Sequence, residues 1–148
     1  MRELPRQLTA EELAELFEGR TRFVERLARR ENPLVAARAV ALELSDEEKK
    51  EVLDAHPAIG AKKALSARSA AEQGTEDNPE VLAELERLNR AYEERFGFRF
   101  VVFVNRRPKA AIVPILRERL ERTREEELGT ALEELVSIAI DRWQGGAA

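Results

Sequence analysis

Residues 96–105 read FGFRFVVFVN, and how this run is taken decides the fold. Aromatic and β-branched residues fill it, so locally it has the composition of a strand. No second stretch of the chain offers it a partner, and one strand does not make a sheet. The run is therefore expected to be a buried extended segment crossing a helical domain. Its main-chain N–H and C=O groups then need partners other than a ladder. A ligand bound along it would supply some of them, which makes the segment a candidate pocket wall.

Outward from this run, both flanks read as helices. On its N-terminal side, Asn78 and Pro79 signal the start of a long helix reaching about residue 95. Its apolar stripe is Val81, Leu82, Leu85, Leu88, Tyr92 and Phe96. At about 100° per residue, Asn89 falls inside that stripe. A buried amide must find partners, and holding loop backbone is the expected use. On the C-terminal side, Pro108 opens a helix with Ile112, Val113, Leu116 and Leu120, and Pro114 inside it bends or delays it. Thr123 and Glu126 have the spacing of a capping box for a last helix running to about Trp143, closed by Gly145 and Gly146.

The first half of the chain follows the same rules. Thr9 with Glu12 predicts a helix over about 10–17, stopped by Gly19. A second helix, about 20–30, turns Phe23, Val24 and Leu27 inward. Asn32 and Pro33 open the small, apolar LVAARAVALEL helix, expected to lie deep. Ser45 with Glu48 opens a helix that ends near His56, because the residue before Pro57 is pushed out of the helical region. Residues 57–78 are the least regular, with room for a short helix around 67–73. Residues 1–8 and 144–148 are expected to be loose termini. With no repeat and no linker, the expectation over 1–148 is one compact all-α domain of at least seven helices with one buried extended segment.

Composition excludes several classes of function. Hydrophobic residues at 43% and charged residues at 36% describe a soluble globular chain rather than a disordered one. A net charge of -4 gives no electrostatic argument for nucleic acid. There is no cysteine, hence no disulfide, no thiolate nucleophile and no cysteine zinc site. A single histidine excludes the two-histidine metal motifs, so no metal site is expected. The opening MRELPRQLTAEEL has no apolar signal region, and no stretch approaches a membrane span. A cytoplasmic protein with no membrane association is expected.

The chemistry-bearing residues cluster after the fourth helix. His56 is the one side chain with an unperturbed pKa near neutrality, and proton transfer most simply falls to it. Ser69, Glu72 and Gln73 follow within a short span, and one pocket is the functional reading of the four. The bland reading is also open: a histidine at a helix end is often a cap or a surface group, and Ser69 with Glu72 has capping-box spacing. In the last helix the apolar stripe is Leu128, Ala131, Leu132, Leu135 and Ala139, and Arg142 points only about 20° from Leu135. A guanidinium aimed at the core needs an anion or a carbonyl cluster. Alternatively it snorkels from the helix end, or caps it against the helix dipole.

These pieces, in this order, resemble the 2-oxo-4-hydroxy-4-carboxy-5-ureidoimidazoline (OHCU) decarboxylase family. The matching residues are the HP pair at His56 and Pro57, then SxxEQ over 69–73, then LNxxYxxRFGFxF over 88–100. An RxRL-type segment over 117–120 and AxxEhxxIAxxR over 131–142 (h being apolar) complete it. The resemblance implies an all-helical fold, usually a homodimer, that works on a small-molecule substrate without cofactor or metal. It implies His56 as the catalytic acid, with Glu72 and Arg142 as the functional carboxylate and arginine. It implies a substrate site lined by Pro57, Ser69, Gln73 and the backbone of Phe100, Val101, Val102, Phe103 and Val104.

The activity implied is decarboxylation of the ureidoimidazoline to (S)-allantoin in urate catabolism. Three departures bear on it. The stretch between Phe17 and His56 is shorter than usual and lacks an RP pair; NRRP over 105–108 replaces an NG-type turn; and Ile59 with Gly60 replaces LA or LG. They leave open a related helical enzyme acting on a different ureido or imide compound. A non-catalytic helical interaction module with a vestigial pocket is the other alternative.

Overall fold

In the computed structural model, residues 3–59 and 78–145 are described. Seven helices account for most of them: α1 (Ala10–Phe17), α2 (Arg22–Ala28), α3 (Pro33–Glu43), α4 (Asp46–Asp54), α5 (Pro79–Phe96), α6 (Lys109–Leu120) and α7 (Arg124–Trp143). No strand occurs among the described residues, so the all-α reading holds. The capping boxes at Thr9/Glu12, Ser45/Glu48 and Thr123/Glu126 all form, each with reciprocal side-chain to backbone hydrogen bonds. Asn78 accepts from the Glu80 N–H at 2.9 Å, as an N-cap should. Gly97 adopts a left-handed φ of 80° at the end of α5, a conformation that glycine takes without steric cost.

α7 is the axis of the assembly. α1, α3 and α4 pack on it, α2 bridges α1, α3 and α4, and α5 pairs with α6. Leu128, Ala131, Leu132, Leu135, Val136, Ile138 and Ala139 bury its inner face. The extended segment after α5 threads between these two groups, with Phe98, Phe100, Val101, Val102 and Val104 all buried. Tyr92 is its anchor. Its ring lies 4.6 Å from Phe96, 5.9 Å from Phe98 and 5.2 Å from Phe100, centroid to centroid, within the range of favourable aromatic pairs.

With no neighbouring strand, side chains take over the ladder's work. The Arg99 N–H donates to Asp54 Oδ1 (2.9 Å), and the Phe103 N–H donates to Glu134 Oε1 (3.3 Å). The Val101 carbonyl accepts from Arg119 Nη1 (2.8 Å), and that of Phe103 accepts from Arg107 Nη2 (2.6 Å). Successive residues of an extended chain turn their polar groups to opposite edges, so residues 99, 101 and 103 present one edge. On that edge the N–H groups of Arg99 and Phe103 and the carbonyls of Val101 and Phe103 are paired. Among the described residues, no hydrogen bond reaches the N–H or C=O of Phe100 or Val102 on the other edge.

Arg119 is itself held from behind. Glu127, 0% exposed, accepts from Arg119 Nε (2.7 Å), the Tyr92 hydroxyl (2.6 Å) and Arg122 Nη1 (2.9 Å). Burial, followed by this hydrogen bond, pushes the Tyr92 phenol well above its usual range, so the hydroxyl stays a donor. The Arg119 guanidinium also lies 4.6 Å from the Phe100 ring centroid, close enough for a cation–π contact.

One expectation is corrected: from residue 3 onward the arm before α1 is tied down rather than loose. Leu8 is buried, the Arg6 carbonyl accepts from the Asn32 N–H (2.7 Å), and the Glu3 carbonyl accepts from Trp143 Nε1 (2.9 Å). Asn32 starts α3 through this backbone bond, in a left-handed conformation, rather than through a side-chain cap. The short helix allowed for around 67–73 lies outside the described residues.

Replacing Glu127 tests the hub. Glu127→Gln leaves three donors facing an amide with a single acceptor oxygen, and breaking such a buried pair costs about 3–5 kcal/mol. Thermal unfolding should show a fall in Tm of roughly 10 °C; a change of a degree or two would mean that Glu127 does not hold the network.

Candidate active site

His56 is placed by a chain of local causes. α4 ends at Asp54, the His56 N–H makes a tight turn back to the Leu53 carbonyl (3.2 Å), and Pro57 prevents the helix from continuing. The ring is turned inward and is 5% exposed. It opens on a narrow cleft of about 40 Å³ lined by His56, Pro57, Ile59, Ile138, Arg142 and the extended backbone over residues 100–104. Beyond His56, Asn89 donates to the Ile59 carbonyl (3.1 Å), which is the loop-holding use its helical phase predicts.

Of the expected site residues, His56, Pro57, Phe100, Val101, Val102, Phe103, Val104 and Arg142 line this one cleft. Ser69, Glu72 and Gln73 lie outside the described residues. Arg142 is aimed inward as the helical phase requires and is 3% exposed. Its Nη1 donates to the Leu16 carbonyl (3.0 Å), and its Nη2 lies 3.0 Å from Glu18 Oε1. The guanidinium therefore both faces the cleft and meets the carboxylate and carbonyl that a buried charge demands. Of the openings left by the sequence, snorkelling is not observed; the inward guanidinium is paired to a protein carboxylate and a carbonyl, as a structural role requires.

Four residues were missed. Ile138 precedes Arg142 by one helical turn, so the same phase argument would have found it. Arg99 is a charge inside an apolar run, a signal in itself; its guanidinium donates to the His56 carbonyl. Arg107 covers the carbonyls of Phe103 and Val104, so the NRRP departure places a guanidinium at the end of the pocket wall. Glu18 carried no local signal. It sits just past α1 in a left-handed conformation, φ 65°, which costs about 1–2 kcal/mol for a residue with a side chain.

Electrostatics make the imidazole neutral. Burial, reinforced by the positive charges of Arg142 and Arg99 and opposed by Glu18, pushes His56 from its ordinary 6.5 down to about 3. Its Nε2 is buried with no hydrogen-bond partner among the described residues. Such an orphaned atom in a cleft is available to a ligand. Among the described residues there is no cluster of metal-ligating side chains, and no helix is long and apolar enough to cross a membrane.

This helical domain brings a buried, uncharged histidine, an inward arginine and the main-chain groups of Phe100 and Val102 to one cleft. The chain belongs to the OHCU decarboxylase family, whose model matches residues 2–144. It is 33% identical over 99 residues to a 2-oxo-4-hydroxy-4-carboxy-5-ureidoimidazoline decarboxylase of Haloferax volcanii, covering 64% of this chain and 59% of that protein. It is 37% identical over 94 residues to the uric acid degradation bifunctional protein PucL of Bacillus subtilis, covering 60% of this chain but 19% of that one. In fold it is similar to a crystal structure of OHCU decarboxylase in the presence of (S)-allantoin, with a TM-score of 0.75 and 22% identity over 90% of this chain and 96% of that chain.

The neutral histidine carries a pH signature. An unfolded chain protonates His56 near 6.5, whereas the folded chain does so only near 3. The unfolded state thus binds the extra proton in between, and the contribution, complete above about pH 6.5, is lost as pH falls toward 3. Urea midpoints should show the native chain losing more stability than His56→Gln between pH 7 and 5, by up to about 1.4 kcal/mol per pH unit. Parallel losses would place His56 in solvent.

Proposed function

We propose that this chain decarboxylates 2-oxo-4-hydroxy-4-carboxy-5-ureidoimidazoline to (S)-allantoin. The observation that carries the reading is the convergence of His56, Arg142 and the unpaired backbone edge on one cleft, in a member of this family. The substrate bears a carboxylate and a hydroxyl on one ring carbon, and the next ring carbon is doubly bonded to nitrogen. When the carbon–carboxylate bond breaks, its electron pair moves toward that C=N, whose nitrogen takes a proton. The hydroxyl proton then leaves, and the ureido-bearing carbon gains a proton on one face. The substrate is its own electron sink, so the protein needs only to orient groups and move protons.

In this reading Arg142 faces the substrate carboxylate or a carbonyl edge, and the free groups of Phe100 and Val102 bind the flat ring much as a strand would. His56 starts uncharged, so it enters as a proton acceptor and hydrogen-bond partner. An anionic substrate beside Arg142 offsets the positive field on the imidazole, which lets it hold the proton that it later returns as the acid. Acid–base groups of this kind contribute roughly 10²–10⁴-fold. Glu72 is assigned to orienting His56 or accepting from the substrate hydroxyl, and Ser69 and Gln73 to holding ring and ureido groups.

The test is the decay of freshly made substrate with chiral detection of product. The native chain should accelerate the decay and give one enantiomer, and His56→Asn, folded, should not. Equal rates with and without protein would end the decarboxylase reading. A panel of other ureido compounds then separates a relative of different specificity, the possibility raised by Arg107 at the pocket wall.

We further assign a homodimer through the outer face of α3. Val35 and Leu42 there are each 66% exposed, one heptad apart with exposed Ala39 between them. Next to this stripe, Arg38 and the acids Glu126 and Glu133 flank a groove between α3 and α7, so a two-fold mate would bring opposite charges together. Light scattering should give twice the chain mass for the native protein and the single mass for Val35→Glu/Leu42→Glu; a native monomer removes the assignment.

A further inference from the structure

Arg99 stands behind the cleft rather than in it, and the family pattern leaves its position open: it is the x of FGFxF. Phe98 and Phe100 on either side are buried around Tyr92, so alternation turns Arg99 the other way, toward the end of α4. There it makes two links. Its main-chain N–H donates to Asp54 Oδ1 (2.9 Å), and its guanidinium donates to the His56 carbonyl. The second link answers a definite need. Pro57 stops the helix, so the carbonyls at its end have no following turn to accept from. They lie at the negative end of the helix dipole, where a cation is favoured. Glu93 Oε1, 3.6 Å from Arg99 Nε, is beyond hydrogen-bond reach and leaves the fork directed at His56.

We propose that Arg99 is the positioning residue of this site, clamping the His56 corner to the extended wall so that imidazole and backbone edge keep one register. The two walls come from segments more than 40 residues apart in sequence, and among the described residues the hydrogen bonds that join them at this corner run through this one residue. A shift of about 1 Å in such a register can cost on the order of 100-fold in rate. The kinetic part of the proposal rests on the decarboxylase reading; the structural part does not.

One histidine in the whole chain makes the test direct. In a tag-free protein, the imidazole carbon-bound protons of His56 give one assignable pair of NMR signals. The native chain should show a single narrow pair. Arg99→Met should broaden or displace it while methyl signals of the core stay in place, and kcat should fall about 10–100-fold with KM little changed. Arg99→Lys should recover part of both, since an ammonium can still donate to one carbonyl. If the Met variant does not fold, the Lys variant carries the same comparison. A folded variant whose imidazole signals superimpose on the native ones, or whose kcat is native, overturns the proposal; a lowered Tm alone with both unchanged assigns Arg99 to stability. If the native chain does not act on the substrate, the decarboxylase reading fails, and the imidazole spectrum still judges Arg99.

Discussion

An extended chain without a neighbouring strand is the constraint from which the rest of this structure follows. Its polar groups cannot be left bare in a core, and no ladder is available. The protein meets the need with side chains, most of them along one edge. Asp54, Arg119, Glu134 and Arg107 reach the groups of residues 99, 101 and 103. Phe100 and Val102, whose main-chain groups take no hydrogen bond among the described residues, are among the residues that line the cleft.

Charge is buried in this fold only where it is matched. Glu127 collects Arg119, Arg122 and the Tyr92 hydroxyl behind the extended segment. Glu18 and the Leu16 carbonyl receive Arg142 at the cleft. The first group is sealed and serves the backbone. The second adjoins the cleft, where Glu18 and the Leu16 carbonyl fix the guanidinium in place. His56 lies within the field of the second group, and burial next to two guanidinia leaves it uncharged.

What the sequence made legible is local or periodic. The three capping boxes depend on residues three apart, and all three form. Helical phase placed Asn89 and Arg142 inward, and both are buried. The same phase places Glu127 one turn before Ala131, yet a stripe sought among apolar residues alone passes over it and Arg119. Glu18 was beyond reach for a different reason: it matters through a contact with a residue near the other end of the chain, and neither periodicity nor composition encodes that. The arm before α1 was misjudged on similar grounds, since its polar residues are held through backbone carbonyls, which every residue possesses.

The bond between Leu16 and Arg142 spans 126 positions of sequence. During synthesis at about 5–20 residues per second, Leu16 leaves the ribosome roughly 6–25 s before its partner is made. Throughout that interval Glu18 has no Arg142 to face, and the inner surfaces of α1, α3 and α4 lack the helix on which they pack. The cleft is thus a product of the last helix, assembled in one late step rather than grown along the nascent chain. A ribosome stalled before α7 carries helices without a site.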